Sequence, residues 1–445
     1  MRPCCFILLG LLLAGARTLA EDPLHETSGT NVLKITPAFL NQLAEELRTN
    51  HPALRSARAR VNSAEASVGG VRTWEDPMLR LGGMGARRDM RAENGDVIYG
   101  VEQKLPLFGK PQLARKVAQA GLATEEATLD YQFQSLRVEL SKALFRAALA
   151  EQTTSIDAQD VAWLEALTAR VEQQYSSGQS SQTDLLKAQN ARSKRRDQWV
   201  TDGNQLRHER LTLNRMLGRN LHAPWPALDL PPILKPIEYN ERLVNYALKF
   251  EPKLKMMRQE IERNKSAVQL TRRQRLPDIN AGLEGRTFTG DGSFRSGTLM
   301  LSMNFPWANA RQYRSDIHRD EEKLEAATFE LADYELKIRE DVHHLTLSVD
   351  AARREALLYQ NELIPRAEQA LANLRAAWES GRGLFNDVLE ARRMVLEARL
   401  MAARAVTAHY SALAELVLCC GAGSFEALEM IGATPDPVSF PPDRP

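Results

Sequence analysis

The sequence has little cysteine, few aromatic side chains and no excess of charge of either sign. Aromatic residues make up 6% of its 445 residues, and Lys plus Arg total 58 against 57 for Asp plus Glu. No long basic block is present. This balance lacks the electrostatic footprint of a protein that binds a polyanion, so we expect no nucleic-acid partner.

The four cysteines do not form a disulfide framework. Cys4 and Cys5 lie at the N-terminus, and Cys419 and Cys420 are adjacent, a position from which they cannot easily bridge each other. We interpret the second pair as two small apolar residues near a helix end, and a thiolate pair for a soft metal remains the alternative.

The N-terminus has Arg2, an apolar run over residues 6–14, and small residues at Ala16 and Ala20. This order predicts a secretory signal peptide over residues 1–20. No segment after this one has the run of about 18 apolar residues that a membrane-spanning helix requires. Cys4 and Cys5 precede the apolar run, whereas a lipoprotein signal places its cysteine after it. We therefore expect no N-terminal lipid anchor.

What is abundant is Ala, Leu, Arg, Glu and Gln, a composition typical of long helices. The chain also repeats itself. His51-Pro52-Ala53-Leu54 is echoed by Glu251-Pro252-Lys253-Leu254, at an offset of 251 − 51 = 200. The pairs Gly178/Gly381 and Asp184/Asp387 recur at an offset of 203. We predict a first structural repeat over 21–222, a Pro-rich linker over 223–237, a second repeat over 238–421 and a C-terminal tail over 422–445.

Prolines and glycines divide each repeat into elements. Alternating apolar residues in Gly-rich segments between prolines predict one β-hairpin per repeat, whereas apolar residues at helical spacing predict three helices. The longest helix of each repeat would measure about 100 Å, and Pro365 should kink the second of them. The predicted helices are 39–73, 111–175 and 184–217, then 242–274, 312–378 and 387–418, and the hairpins are about 77–106 and 277–306.

Two similar stretches, 175–189 and 378–392, join the long helix of each repeat to the next helix. Each has an aromatic residue, a glycine and then an aspartate before a Leu- or Val-rich start. This pattern predicts a helix, a glycine stop, a short turn and a new helix whose N-terminus the aspartate can cap.

Four strands per chain cannot close a barrel, and open strand edges are not tolerated in lipid. Three chains would supply twelve strands, whereas two would supply eight and a filled interior. A twelve-stranded barrel that continues into a tube of helices encloses water. The sequence thus favours a trimeric duct.

Residues 38–421 contain two copies of the same order of elements: a helix, a hairpin, a long helix, a turn with glycine and aspartate, and a helix. This pattern resembles the outer-membrane efflux duct family of the TolC type. The resemblance implies a mostly α fold with β-hairpins. It further implies a homotrimer with a shared twelve-stranded barrel in the outer-membrane lipid of a Gram-negative bacterium and a long periplasmic helical barrel. Implied partners are a periplasmic adaptor protein and an inner-membrane pump of the resistance-nodulation-division type.

The segment 101–110, VEQKLPLFGK, resembles the heavy-metal branch of this family. The resemblance therefore implies a passive duct that exports small molecules or metal ions from the periplasm. A periplasmic coiled-coil adaptor or scaffold is the alternative, which would explain the helices but not the hairpins. We expect no enzymatic activity, no cofactor and no bound metal in the protein itself.

Carried over from the family, the acidic pair Asp387 and Glu390 would line the periplasmic gate, with ordinary helix capping as the alternative for Asp387 and Asp184. Trp378 stands where the family often has tyrosine, and Arg382 lies beside the glycine, so contacts that close the gate can differ here. Residues of the tip turns, expected to contact the adaptor, are Gly178, Thr183, Asp184, Leu185, Gly381, Arg382, Val388 and Leu389. The expected junctions between barrel and helices are Pro77, Pro106, Pro277 and Pro306.

Overall fold

The computed structural model describes residues 32–85 and 95–433 of the chain. The predicted signal peptide and the far end of the predicted C-terminal tail lie outside this part. In the first half, the elements are β1 (Leu33–Lys34), α1 (Pro37–Asn50), α2 (Pro52–Gly70), β2 (Met78–Met84), β3 (Asp96–Lys104), α3 (Lys110–Ser176) and α4 (Gln182–Leu217).

The second half repeats this order. It begins with β4 (Leu228–Asp229), α5 (Glu241–Phe250), α6 (Pro252–Gln274), β5 (Ile279–Phe288) and β6 (Phe294–Met303). A short 3-10 helix, Pro306–Asn309, then leads to α7 (Ala310–Leu358), a π-helical turn (Tyr359–Leu363), α8 (Ile364–Glu379), α9 (Phe385–Cys419) and α10 (Phe425–Ala433). Among the described residues, no helix is both long and apolar enough to cross a membrane.

The first predicted helix of each repeat, 39–73 and 242–274, is wrong as a single helix. Each is two helices separated by one extended residue, His51 (ψ 125°) or Glu251 (ψ 126°), immediately before a proline. The residue before a proline resists the α conformation, and the proline has no N–H for the helix. The His51 imidazole Nδ1 accepts a hydrogen bond from Ala53 N at 3.2 Å and so caps the helix that follows.

The predicted kink at Pro365 takes the form of the π-helical turn Tyr359–Leu363, which lies directly before α8. Pro365 lacks the N–H that an α-helix would donate to residue 361, and a π-turn is a common way to absorb such a loss. The long helix of the second repeat is therefore divided into α7 and α8 by this turn, whereas α3 is continuous over 67 residues, about 100 Å.

The largest apolar core lies at mid-length, where both repeats meet. The middle of α3, the ends of α4 and α9, the helices α1 and α5 and part of α7 all contribute. Phe145 of α3 stacks on Tyr410 of α9 with ring centroids 5.0 Å apart. The long helices extend beyond this core in both directions.

The Pro-rich segment between the repeats is not a free spacer. Trp225, Leu228 and Ile237 are buried in the central core, and β4 pairs in parallel with β1. The Trp225 indole N–H donates to the Asn214 Oδ1 at 2.7 Å, and the same Asn214 amide donates to the Leu221 and Ala223 carbonyls, both at 2.9 Å. The linker thus ties both repeats to one core.

Both hairpins join in one antiparallel sheet with strand order β2-β3-β5-β6. In register, Leu79 faces Val101, Val101 faces Leu283, and Leu283 faces Leu299. Because side chains alternate along a strand, these residues share one face of the sheet, and that face is apolar and exposed in the single chain.

Candidate functional site

The turn of the first repeat ends α3 with Gly178 in the left-handed conformation, at φ +75°. Ser181 then caps α4: its hydroxyl accepts from Asp184 N at 3.1 Å and donates to the Asp184 carboxylate at 2.7 Å. The first of these bonds is one half of a capping box, and the Asp184 carboxylate accepts from the Ser181 hydroxyl instead of the Ser181 backbone N–H. Asp184 is therefore the partner of the capping residue and not the cap itself.

The turn of the second repeat has the same glycine geometry, with Gly381 at φ +75°, but a different cap. The N-cap of α9 is Leu384, which has no side-chain oxygen to offer. Asp387 stands where Asp184 stands in the first turn, without a serine to hold its carboxylate. Glu390 is exposed and approaches Arg393 on the same helix at 3.5 Å.

An apolar cluster holds the two turns together. Phe385 and Leu389 of α9 form a cluster with Leu164, Leu167 and Val171 of α3, and this cluster includes the fully buried Ala188 of α4. Trp378, the residue that departs from the family pattern, packs its ring 5.6 Å from that of Phe385. Here the aromatic residue therefore serves the packing of the turn.

The predicted contact residues of the tip divide into two groups. Val388 is completely buried and Leu389 nearly so, which means that both side chains pack inside the tip and present no surface to a partner. Leu185 is partly buried against the same cluster. The residues that do reach the surface are Gly178, Thr183, Gly381 and Arg382.

An ion pair joins the ends of the two helical hairpins. Arg170 of α3 contacts Glu379 of α8 at 3.0 Å. The two side chains are 46% and 31% exposed, so this pair contributes little to stability.

Two buried aspartates and two half-buried arginines, which the sequence did not reveal as a group, join the helices next to the apolar cluster. Arg195 of α4 donates from Nη1 to Asp157 Oδ1 at 3.1 Å and from Nε to Asp160 Oδ2 at 2.9 Å. Arg392 of α9 donates from Nε to the second oxygen of Asp160 at 2.6 Å. The only signal in the sequence is the spacing of the two aspartates, three residues apart among the apolar positions of α3.

Asp157 has the most perturbed carboxyl of this network. Burial raises the pKa of Asp157 to about 7, and the neighbouring carboxyl of Asp202 contributes in the same direction, against the opposing effect of the Arg195 charge. One Asp157 oxygen, Oδ2, is buried without a hydrogen-bond partner. Near neutral pH this carboxyl is therefore partly protonated.

The sheet has two chemically different faces. The face opposite the apolar one carries ion pairs: Arg80 Nη2 contacts Glu102 Oε2 at 2.6 Å, and Arg286 Nη2 contacts Glu284 Oε1 at 3.0 Å. The first pair joins β2 to β3 and the second lies within β5, so both pairs neutralise charge on this face. One face thus suits hydrocarbon and the other suits water.

The predicted junction prolines lie where strands and helices meet. Pro77 directly precedes β2, Pro277 lies two residues before β5, Pro106 lies two residues after β3, and Pro306 begins the 3-10 helix before α7. After Pro106, Phe108 (φ +60°) and Gly109 (φ +70°) turn the chain sharply into α3.

Ion pairs around one carboxylate join the sheet to the helices. Lys110 Nζ contacts Asp278 Oδ1 at 2.8 Å, and Lys104 Nζ contacts Asp278 Oδ2 at 3.4 Å. Asp278 thus ties the ends of both hairpins to the start of α3.

Cys419 and Cys420 lie at the end of α9 beside the central core. Cys420 is buried and Cys419 is half-buried. Burial raises the pKa of Cys420 to about 12, and it raises the pKa of Cys419 as well. Both are therefore thiols at neutral pH and pack as small apolar residues.

Long helical hairpins attached to a sheet with one apolar and one charged face define a channel protein of the bacterial outer membrane. The chain belongs to the outer membrane efflux protein family, whose model matches residues 43–219 and 243–422. It is thus an outer-membrane efflux channel that extends into the periplasm, in a family of passive channels rather than of enzymes. This membership decides against the alternative of a periplasmic adaptor or scaffold.

Solved structures share the fold at low sequence identity. The outer-membrane channel OprN is 18% identical with a TM-score of 0.75, over 87% of this chain and 90% of that one. CusC is 16% identical with a TM-score of 0.75, over 90% of this chain and 96% of that one. VceC from Vibrio cholerae is 16% identical with a TM-score of 0.72, over 86% of this chain and 96% of that one. No curated protein sequence matches the chain.

Proposed function

We propose that three copies of this chain form one duct, in which four strands from each copy close a twelve-stranded barrel. The observation that carries the proposal is the sheet. Its edge strands β2 and β6 each pair with one neighbour within the described chain, and its apolar face is open. Unpaired strand edges in lipid are costly, so each β6 would pair with the β2 of the next copy.

The helices support the same assembly. In the single chain α8 buries none of its residues, although α9 packs along it. That open surface would face the next copy in a ring of helices. In this proposal each repeat, 21–222 and 238–421, supplies one hairpin of strands and one hairpin of helices, with 223–237 as a packed connection and 422–445 as the tail.

We further assign the periplasmic gate to Asp387 and Glu390. The neighbouring residues Val388 and Leu389 are buried, and the acidic pair lies on the other side of α9. Around a threefold axis the pair would contribute six carboxylates. Such a ring attracts cations and slows anions.

The first turn would meet a periplasmic adaptor, because its residues are open to a partner in the single chain. Gly178 and Thr183 are exposed there, and Asp184 and Leu185 are half-exposed. Arg382 of the second turn is exposed as well. The adaptor would couple the duct to an inner-membrane pump of the resistance-nodulation-division type, and the exported substrates would be small molecules or metal ions selected by that pump.

Charge reversal tests the gate. We expect Asp387→Arg with Glu390→Arg to change the single-channel conductance in planar bilayers and to shift the preference from cations towards anions. Asp184→Arg, at the matching position of the first turn, is the control and should leave ion preference near that of the unmodified protein. Unchanged recordings for the double variant would rule out the gate assignment.

A further inference from the structure

The apolar face of β6 continues past the end of the strand. Leu301 and Met303 are exposed on this face, and Phe305 follows at the next alternate position with 63% of its surface exposed. Phe305 is still extended, at φ −108°. Asn304 lies on the opposite side of the chain, where its side-chain oxygen accepts from Asp278 N at 2.6 Å. The apolar face of the sheet thus ends in an aromatic side chain.

A second aromatic residue and two arginines follow directly. Trp307 is 60% exposed, and its ring centroid lies 5.9 Å from that of Phe305. Arg311 and Arg314 are exposed near the start of α7, four and seven residues after Trp307. Because they are three residues apart, they share one face of the helix. From the strand to the helix, this edge of the molecule therefore presents apolar, then aromatic, then basic side chains.

The charge of these two arginines is available to a ligand. Among the ion pairs of the described residues, neither arginine has a carboxylate partner, and the next acidic residues of α7, Asp316 and Asp320, both pair with Arg319 at 2.9 Å. The Arg314 Nε donates to the Ala310 carbonyl at 3.3 Å. A guanidinium group without a carboxylate partner can bind a phosphate through two parallel N–H donors.

The fold itself does not require an aromatic and two basic residues here. At the offset of 200 residues, the first repeat has Leu107, Pro111 and Ala114 at the three corresponding positions. The two helices nevertheless begin at matching residues, Lys110 in α3 and Ala310 in α7. The same junction between strand and helix thus forms without these side chains, which points to a role outside folding.

The location of these residues identifies what they contact. The channel extends into the periplasm through its helices, so the strand ends that continue into helices lie in the periplasmic leaflet of the outer membrane. Aromatic residues favour the boundary between hydrocarbon and headgroups. Arg314 lies about 10 Å below Trp307 along the helix axis, and the headgroup region on one side of a bilayer is about 5–8 Å thick. The arginines are therefore at the level of the lipid phosphates.

We propose that Arg311 and Arg314, below Trp307, form a binding site for the headgroup of an anionic phospholipid of the periplasmic leaflet. The phosphate accepts from the two guanidinium groups, and the acyl chains lie along Phe305 and the apolar face of the sheet. Strand pairing uses backbone groups in the plane of the sheet, so pairing of β6 with another copy leaves this face open. The site depends on the membrane position of the sheet and on neither the proposed gate nor the number of copies.

Native mass spectrometry of the full-length protein in detergent tests the site, with phosphatidylglycerol and phosphatidylcholine of identical acyl chains as the probes. We expect the unmodified protein to bind phosphatidylglycerol at least about fivefold more tightly than phosphatidylcholine. In Arg311→Gln with Arg314→Gln the two affinities should come within about twofold of each other, because no cation remains for the net negative charge. Should this double variant not fold, each single substitution is titrated instead and should lose part of the preference.

Two further variants separate this site from general electrostatic attraction. Lys337→Gln with Arg339→Gln removes the same charge from exposed positions of α7, about 37 Å from Arg314 along the helix axis. This control should keep the preference for phosphatidylglycerol. Trp307→Leu, which introduces the residue of the first repeat, should weaken the binding of both lipids alike.

Three results would overturn the inference. They are an unmodified protein that binds both lipids equally, an arginine double variant that keeps its preference for phosphatidylglycerol, and an equal loss of preference in the Lys337 and Arg339 control. None of them bears on the proposed gate, which the ion preference of single channels measures.

Discussion

Four glycines with left-handed backbone show how much a single residue contributes to this fold. Gly178 and Gly381 end the long helices at the tip, and Gly218 and Gly421 end α4 and α9 at the central core. A Cβ atom at either tip glycine would meet open space. At Gly421 it would lie 2.3 Å from the Phe250 carbonyl oxygen. The tip glycines serve backbone conformation alone, whereas Gly421 also allows α9 to approach the break between α5 and α6.

These positions form a matched pair for stability measurements. Gly178→Ala should lower the free energy of unfolding by about 1 kcal/mol, the cost of left-handed backbone for alanine. Gly421→Ala should cost about 3 kcal/mol or more, because backbone must also shift to relieve the clash. Thermal melting of the detergent-solubilised protein measures the difference, and equal melting temperatures for the two variants would contradict the close approach.

The role of a residue could be predicted from the sequence where it depends only on residues nearby in the chain. The glycine stops follow from the spacing of aromatic residue, glycine and aspartate. The network of Asp160 with Arg195 and Arg392 could not be predicted from the sequence, because Arg392 lies 232 residues from Asp160 in the chain. Nothing local distinguishes a buried, paired aspartate on a long helix from a solvated one.

At the scale of elements, the helical spacing of apolar residues hid a break. Leu47 and Leu54 are seven residues apart, a spacing that one continuous helix also produces, so the sequence indicated a single helix across Pro52. In the structure α1 and α2 both keep their leucines in the core, and His51 between them is extended. Pro52 was better evidence of the helix boundary than the leucine spacing, and the same holds for Pro252.

The π-helical turn before α8 is a consequence of Pro365, and removing the proline should straighten the helix. In Pro365→Ala, residue 365 regains an N–H for an α-helical bond, which stabilises the segment. We expect slower amide hydrogen exchange over residues 359–366 and a narrower range of conductance states. Residues 156–163 of α3, the matching segment of the first repeat, serve as the internal control. Exchange in 359–366 that is unchanged or faster would show that the turn does not depend on Pro365.

At the scale of the whole molecule, the linker and the sheet make the two repeats one body. Trp225 and Asn214 fasten the linker to the end of α4, and β3 pairs with β5 across the repeats. The order of elements in this architecture could be predicted from the repeat. The packing of the linker could not, because a high proline content excludes helix and says nothing of burial.

The outer edges of the sheet need strands from other copies of the chain. Strands β2 and β6 border the four-stranded sheet, and the apolar face between them includes Leu79, Leu283 and Leu299. A single chain cannot satisfy both edges in lipid. In the proposed duct, three copies would satisfy all of them and would also bring Asp387 and Glu390 around one axis.

Electron cryomicroscopy of the full-length protein in lipid nanodiscs tests this claim most directly. We expect a threefold particle with twelve strands, in which β6 of each copy pairs with β2 of the next, and with Asp387 and Glu390 at the narrowest point of the helical end. A particle whose sheet edges stay unpaired between copies, or one that places this acidic pair away from the axis in the closed state, would contradict it.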